Sequence, residues 1–149
     1  MKGIQKTLKK NKYIKIKLKR IKTNHLELKA KINGVKGRFI LDTGASNSCV
    51  GLDLVDYFKL LATESETKAA GAGAIDMETQ QSENNTLKVG DWKTKQFNLV
   101  LFDLQHVNTA LEQHHAKKVH GIIGADILEK GKAFIDYANK ILYLKKTKK

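Results

Sequence analysis

The sequence predicts a mainly β fold in a single domain, and three observations carry that prediction. Apolar and polar residues alternate with a period of two over residues 14–18 and again over residues 25–32, where Leu26, Leu28, Ala30 and Ile32 stand in step. Turn-forming pairs separate such runs at Asn33-Gly34, Gly90-Asp91 and Asn139-Lys140. Nothing among the 149 residues resembles a linker or an internal repeat, and a chain of this length buries enough surface for one core without a disulfide or metal staple.

The elements follow in order. The first strand covers residues 14–18. A hairpin joins residues 25–32 to Val35–Leu41 through Asn33-Gly34, because both turn residues tolerate positive φ. Residues 52–61 fit either a short helix or a strand and turn. Residues 62–81 are polar with small residues in the middle, and read as a flexible hairpin. A second hairpin turns at Gly90-Asp91 and ends in the apolar run Val100-Leu101-Phe102. Residues 104–120 hold most of the histidines and read as a loop with at most a helical turn. Gly121-Ile122-Ile123-Gly124 reads as a buried strand, and residues 125–130 as a short helix closed by Gly131. A last hairpin pairs residues 133–137 with 141–144.

The charge balance is strongly basic: 28 Lys and Arg against 15 Asp and Glu give +13. Such a surface attracts anions in general. However, Lys15, Lys17 and Lys19 alternate with apolar residues, which marks a solvated strand face that also discourages edge aggregation. The cations are nearly all Lys and form no recognition motif, so nucleic acid is not expected as the main partner. The N-terminus lacks the apolar stretch of a secretory signal, and no segment has the roughly 18 apolar residues of a membrane span. A single cysteine, Cys49, forms no intrachain disulfide and suits a reducing compartment. The expectation is a cytoplasmic protein without a membrane span.

The segment with chemical content is Phe39-Ile40-Leu41-Asp42-Thr43-Gly44-Ala45-Ser46. Three apolar residues deliver a carboxylate to the end of a buried strand, and a tight Gly turn follows. Asp42 is thereby partly withdrawn from water and becomes a candidate for acid–base work. At average composition such a match arises by chance on the order of once in a thousand chains of this length.

This segment resembles the active-site loop of the aspartic proteases, in which two apolar residues precede Asp-Thr-Gly and Ser or Ala. Ile122-Ile123-Gly124, followed by a short helix, is similar to the family's strand behind that loop. Residues 67–80, with Ala70, Gly71, Ala72 and Gly73 at the tip, stand where the family has its flap. Asp-Thr-Gly occurs once, so the resemblance is to the retropepsin-like, single-domain branch. It implies an acid protease barrel with a flap hairpin and one or two short helices. Three regions are expected: a basic segment with the first strand at 1–23, the retropepsin-like domain at 24–145, and a Lys-rich tail at 146–149.

The resemblance further implies an aspartic endopeptidase acting on peptide or protein substrate, without cofactor or metal. It is expected to be a homodimer whose two-fold axis brings together two copies of Asp42, since the mechanism needs a carboxylate pair. Thr43 would brace the two loops, Gly44 would allow the turn, and Ile122, Ile123 and Gly124 would support the loop. The chain's terminal strands would interleave between copies. Ala45 in place of Ser removes one hydroxyl near the carboxylate and implies working conditions less acidic than those of pepsin.

The same residues admit other readings. The fold could bind extended peptides as a non-catalytic dimer, or dock on nucleic acid or an anionic surface through its lysines. His106, His114, His115 and His120 show no metal-site spacing and read as solvated loop residues. Asp126 reads as a favourable acid in a first helical turn, and Asp136 as a strand residue before a turn. Cys49, Trp92 and Tyr137 read as core.

Overall fold

The structure, a computed structural model, describes residues 2–64, 69–71, 74–77 and 79–146. Its elements in chain order are α1 (Lys2–Lys10), β1 (Tyr13–Lys17), β2 (Lys19–Arg20), β3 (Leu26–Ile32), β4 (Val35–Leu41), β5 (Cys49–Gly51), β6 (Thr63–Glu64), β7 (Ala69–Gly71), β8 (Ala74–Met77), β9 (Gln80–Val89), β10 (Trp92–Phe102), α2 (Gln105–Gln113), β11 (Gly121–Ile123), α3 (Ala125–Lys130), β12 (Phe134–Asp136) and β13 (Ile141–Lys145).

The main sheet runs β2-β3-β4-β11-β5-β10-β9-β6. A further pairing of β3 with β9, Ile32 opposite Leu87, closes six of these strands into a barrel. Closure leaves few open edges, which is how antiparallel folds of this size avoid pairing with strangers. The hairpin between β3 and β4 turns at Asn33 and Gly34 with φ of 51° and 82°, as the Asn-Gly pair requires. The Asn33 side chain then ties this turn to its surroundings: its amide donates to the Phe58 carbonyl at 2.9 Å and to Asn85 Oδ1 at 2.9 Å.

Two apolar clusters follow from the strand pattern. Phe39 and Leu41 point into the barrel with Leu28, Ile32, Phe58, Trp92, Leu101 and Ile123. Ile40 points the other way and packs with Cys49, Phe102, Leu104, Leu111, Val119 and Ile122. Both faces of β4 are therefore covered, which explains the unbroken apolar run before Asp42. The second cluster owes its cover to α2, whose Leu111 is buried against these strands. Residues 104–120 thus hold a nine-residue helix where the sequence shows little more than a loop. The pattern there is weak because α2 buries only Leu111.

A second sheet, β1-β13-β12, lies at the chain ends. Its Lys15 and Lys17 face solvent while Ile16 is buried, as the alternation predicts. β13 is flanked on both sides by strands of its own chain, β1 and β12, while β1 and β12 each keep one side without a strand neighbour among the described residues. The basic N-terminus also carries α1, whose Leu8 is buried against Ile141 and Tyr143. Trp92 is fully buried and its indole N–H donates to the Lys145 carbonyl at 2.9 Å, but Tyr137 is 63% exposed and does not belong to the core. Among the described residues no helix is long and apolar enough to cross a membrane.

Candidate active site

Asp42 leaves the end of β4 at the point where β4 and β11 run parallel, Ile122 beside Ile40 and Ile123 beside Leu41. Its backbone N–H extends this ladder by donating to the Ile123 carbonyl at 3.0 Å. The chain then turns, with Ala45 N–H donating to the Asp42 carbonyl at 3.2 Å. Gly44 N–H donates to Asp42 Oδ1 at 2.9 Å, so the loop holds the carboxylate by one of its own amides. Asp42 is half-buried, and Thr43 and Gly44 are exposed. The loop therefore presents an oriented carboxylate at the surface.

Ile122, Ile123 and Gly124 lie beside this loop. Ile123 is fully buried in the barrel and Ile122 is buried in the outer cluster. Gly124 is needed for a steric reason: a Cβ there would fall 2.4 Å from the Ala45 carbonyl oxygen. That carbonyl instead accepts Ala125 N–H at 2.7 Å, which joins the loop to the start of α3. Gly121 meets the same limit, since its Cβ would lie 2.1 Å from the Cys49 carbonyl oxygen.

A second tie went unread in the sequence. Ser48, fully buried, donates its hydroxyl to Asp126 Oδ1 at 2.7 Å and accepts Gly124 N–H at 2.9 Å. Ser48 N–H donates to Asp126 Oδ2 at 3.0 Å, and Ile127 N–H to Asp126 Oδ1 at 2.9 Å. Asp126 is therefore more than a first-turn acid. Both its oxygens anchor the far end of the active-site loop to α3, through charge-assisted bonds of the stronger kind. The only sequence signal was a small hydroxyl residue before Cys49 and an acid two places after Gly124.

Cys49 is buried, and burial first, with the nearby Asp126 and Asp42 carboxylates adding to it, pushes its thiol up to about 12. It is a small apolar residue here and no nucleophile. His120 is not a solvated loop residue. Its ring stacks on Tyr57 at 5.3 Å and meets Phe58 edge-on at 5.7 Å, and its Nδ1 accepts Arg38 N–H at 2.9 Å. Burial and the Arg38 charge lower its pKa. Among the described residues no group of three or more His, Cys, Asp or Glu is placed to hold a metal ion.

Of the expected flap, Ala70 and Gly71 lie in β7, which pairs antiparallel with β8 so that Gly71 faces Ala74. Ala72 and Gly73 fall outside the described residues. An open cleft of about 560 Å³ borders Leu52, Asp53, Asp103, Leu104 and Glu112 and includes no residue of the active-site loop. A shallower groove of about 430 Å³ does reach that loop, at Thr43.

Many solved structures share this fold, among them the following three. A retropepsin-like aspartic protease from Rickettsia conorii aligns with TM-score 0.57 and 21% identity over 89% of each chain. The EIAV protease in complex with the inhibitor HBY-793 aligns with TM-score 0.55 and 20% identity, over 75% of this chain and 92% of its own. The retroviral protease-like domain of Ddi1 from Leishmania major aligns with TM-score 0.53 and 16% identity, over 80% and 87%. No curated protein sequence matches. The aspartyl protease family profile matches residues 28–127, a span running from β3 through the Asp42 loop and β11 into α3. With that match over two thirds of its length and a retropepsin-like barrel around the loop, the chain belongs to the aspartyl protease family.

Proposed function

We propose that the protein is an aspartic endopeptidase in which two copies each contribute Asp42 to one catalytic pair. The observation that carries this reading is the Asp42 loop itself. A half-buried carboxylate is held by Gly44 N–H at 2.9 Å, on a loop whose Thr43 and Gly44 are uncovered in a single copy. One carboxylate cannot serve as base and acid in the same step. Two that meet share a proton, because both cannot ionise easily at close range. The ionised member takes a proton from a water held between them as that water attacks the scissile carbonyl. The neutral member gives its hydrogen bond to the carbonyl oxygen. The pair titrates as a unit. In this reading Thr43 braces the loops across the axis, Ala45 carries the loop to α3, and the β7–β8 pair, with Ala70 and Gly71, closes over an extended peptide.

Asp42→Asn tests the proposal. The amide oxygen still accepts Gly44 N–H, so the fold should persist. Cleavage of an unstructured peptide library should drop by about 10²- to 10⁴-fold or more, while peptide binding survives. Undiminished cleavage by Asp42→Asn would refute the role of Asp42. Binding without any cleavage by the native chain would instead make the fold a peptide-binding module.

A further inference from the structure

The net charge of +13 is not spread evenly along the chain. Residues 1–26 hold ten Lys and Arg and no acid, and residues 130–149 hold seven against Asp136 alone. The stretch between them holds 11 cations and 14 acids, so the middle of the chain is slightly acidic and its two ends are strongly basic. The fold brings those ends together. β1 pairs with β13, which sets Tyr13 opposite Lys145, and Lys146 N–H donates to the Lys12 carbonyl at 2.9 Å. The Tyr13 hydroxyl donates to the Lys132 carbonyl at 2.8 Å and adds a further lysine to this end.

Residues directly opposite one another in an antiparallel sheet share a face. Lys15 stands opposite Tyr143, Tyr143 opposite Phe134, and Lys17 opposite Ile141. Ile16, Leu142 and Leu144 point the other way, into the barrel core. The outer face is therefore the one that α1 covers, with Leu8 packed against Ile141 and Tyr143. Around that contact Lys6, Lys9, Lys10, Lys12, Lys15 and Lys17 are exposed. Large apolar side chains stand uncovered among them. Ile4, one turn before Leu8, is 52% exposed, and Phe134, edge-on to Tyr13 at 5.5 Å, is 54% exposed. The sheet's one acid, Asp136, is occupied by Asn139, whose N–H donates at 3.0 Å and whose amide donates at 2.8 Å. Guarding a strand edge accounts for Lys15 and Lys17 but for none of the lysines of α1.

We propose that this face docks the protein on an anionic phospholipid bilayer, with α1 lying in the interface. Lysines set around exposed Ile and Phe suit that partner. The ammonium groups meet the charged lipid headgroups, and the apolar side chains enter the boundary between headgroups and acyl chains. With nine residues, five of them Lys or Gln, α1 is too short and too polar to cross, so the protein lies on the bilayer. Nucleic acid fits this face less well. Arg, the residue best suited to bidentate contacts with phosphate and guanine, occurs only at Arg20 and Arg38, and Arg38 already donates to the Lys118 carbonyl. The proposal uses neither Asp42 nor a second copy, so it stands or falls apart from the catalytic reading.

The test is sedimentation of the full-length chain with vesicles. Phosphatidylcholine vesicles containing about a third phosphatidylserine should carry the protein down at low salt, lose it steeply as salt rises, and fail to bind it when phosphatidylserine is left out. Lys6→Gln, Lys9→Gln and Lys10→Gln together should weaken binding by about 10²-fold with an unchanged far-UV spectrum. Lys59→Gln, Lys117→Gln and Lys118→Gln together remove the same charge outside α1 and the end sheet, and should weaken it by less than about threefold. No binding to the anionic vesicles, or equal losses in the two triple variants, overturns the assignment. So does release of bound protein by single-stranded DNA at equal phosphate concentration, which would make the face a nucleic-acid site.

Discussion

Ser48 and Asp126 tie down the far end of the loop that carries Asp42. Their carboxylate–hydroxyl bond of 2.7 Å and the 3.0 Å bond from Ser48 N–H fix the end of the loop to α3. Asp126→Ala strips the acceptor from a buried hydroxyl and a buried N–H, which should cost about 2–4 kcal/mol of stability and lower kcat with little change in KM. Chemical denaturation beside peptide kinetics checks both; a variant with native stability and kcat would show the tie to be dispensable. At this scale the sequence was readable only where residues are contiguous. Asp42, Thr43 and Gly44 form a local turn and announce themselves. Ser48 and Asp126 are 78 positions apart, and only tertiary packing makes them partners.

Among the elements, the strands and α3 were legible, whereas α1 and α2 were not. Alternation and Asn-Gly chemistry locate β3 and β4 because a strand face and a turn are written within a few residues. α1 is not legible for a physical reason: it has nine residues, with Ile4 and Leu8 the only large apolar positions, and helices so short depend on tertiary packing. α2 is similar, held by Leu111 on the outer cluster. The edge between β4 and β11 yields a pH prediction. His120, at the start of β11, accepts Arg38 N–H and has a lowered pKa through burial first and the Arg38 charge second. The folded state thus resists protonation more than the unfolded chain does. The associated stability is present above the unfolded value of about 6.5 and is lost as pH falls through the folded one. Melting temperature should decline below about pH 6.5 in the native chain, and less steeply in His120→Phe. Equal slopes would remove His120 from the account.

For the whole molecule, the mainly β barrel was readable from pattern, but its closure was not. The β3–β9 pairing joins Ile32 to Leu87 across 55 positions, and no local signal reports such a contact. The same holds for the chain ends. The sequence suggests strands there, and the structure shows that β1 and β13 satisfy each other within one copy. That arrangement narrows the route to a two-copy site to the edges that remain open.

The shared catalytic pair is tested most directly by mixing chains. Native protein is equilibrated with an equal amount of Asp42→Asn protein, at a concentration where both dimerise, and peptide cleavage is followed. If each active site needs one Asp42 from each copy, half of the native chains are diverted into dead mixed dimers and activity should fall to about half of the unmixed value. If each chain acts alone, activity should stay where it was, and that result would contradict the account.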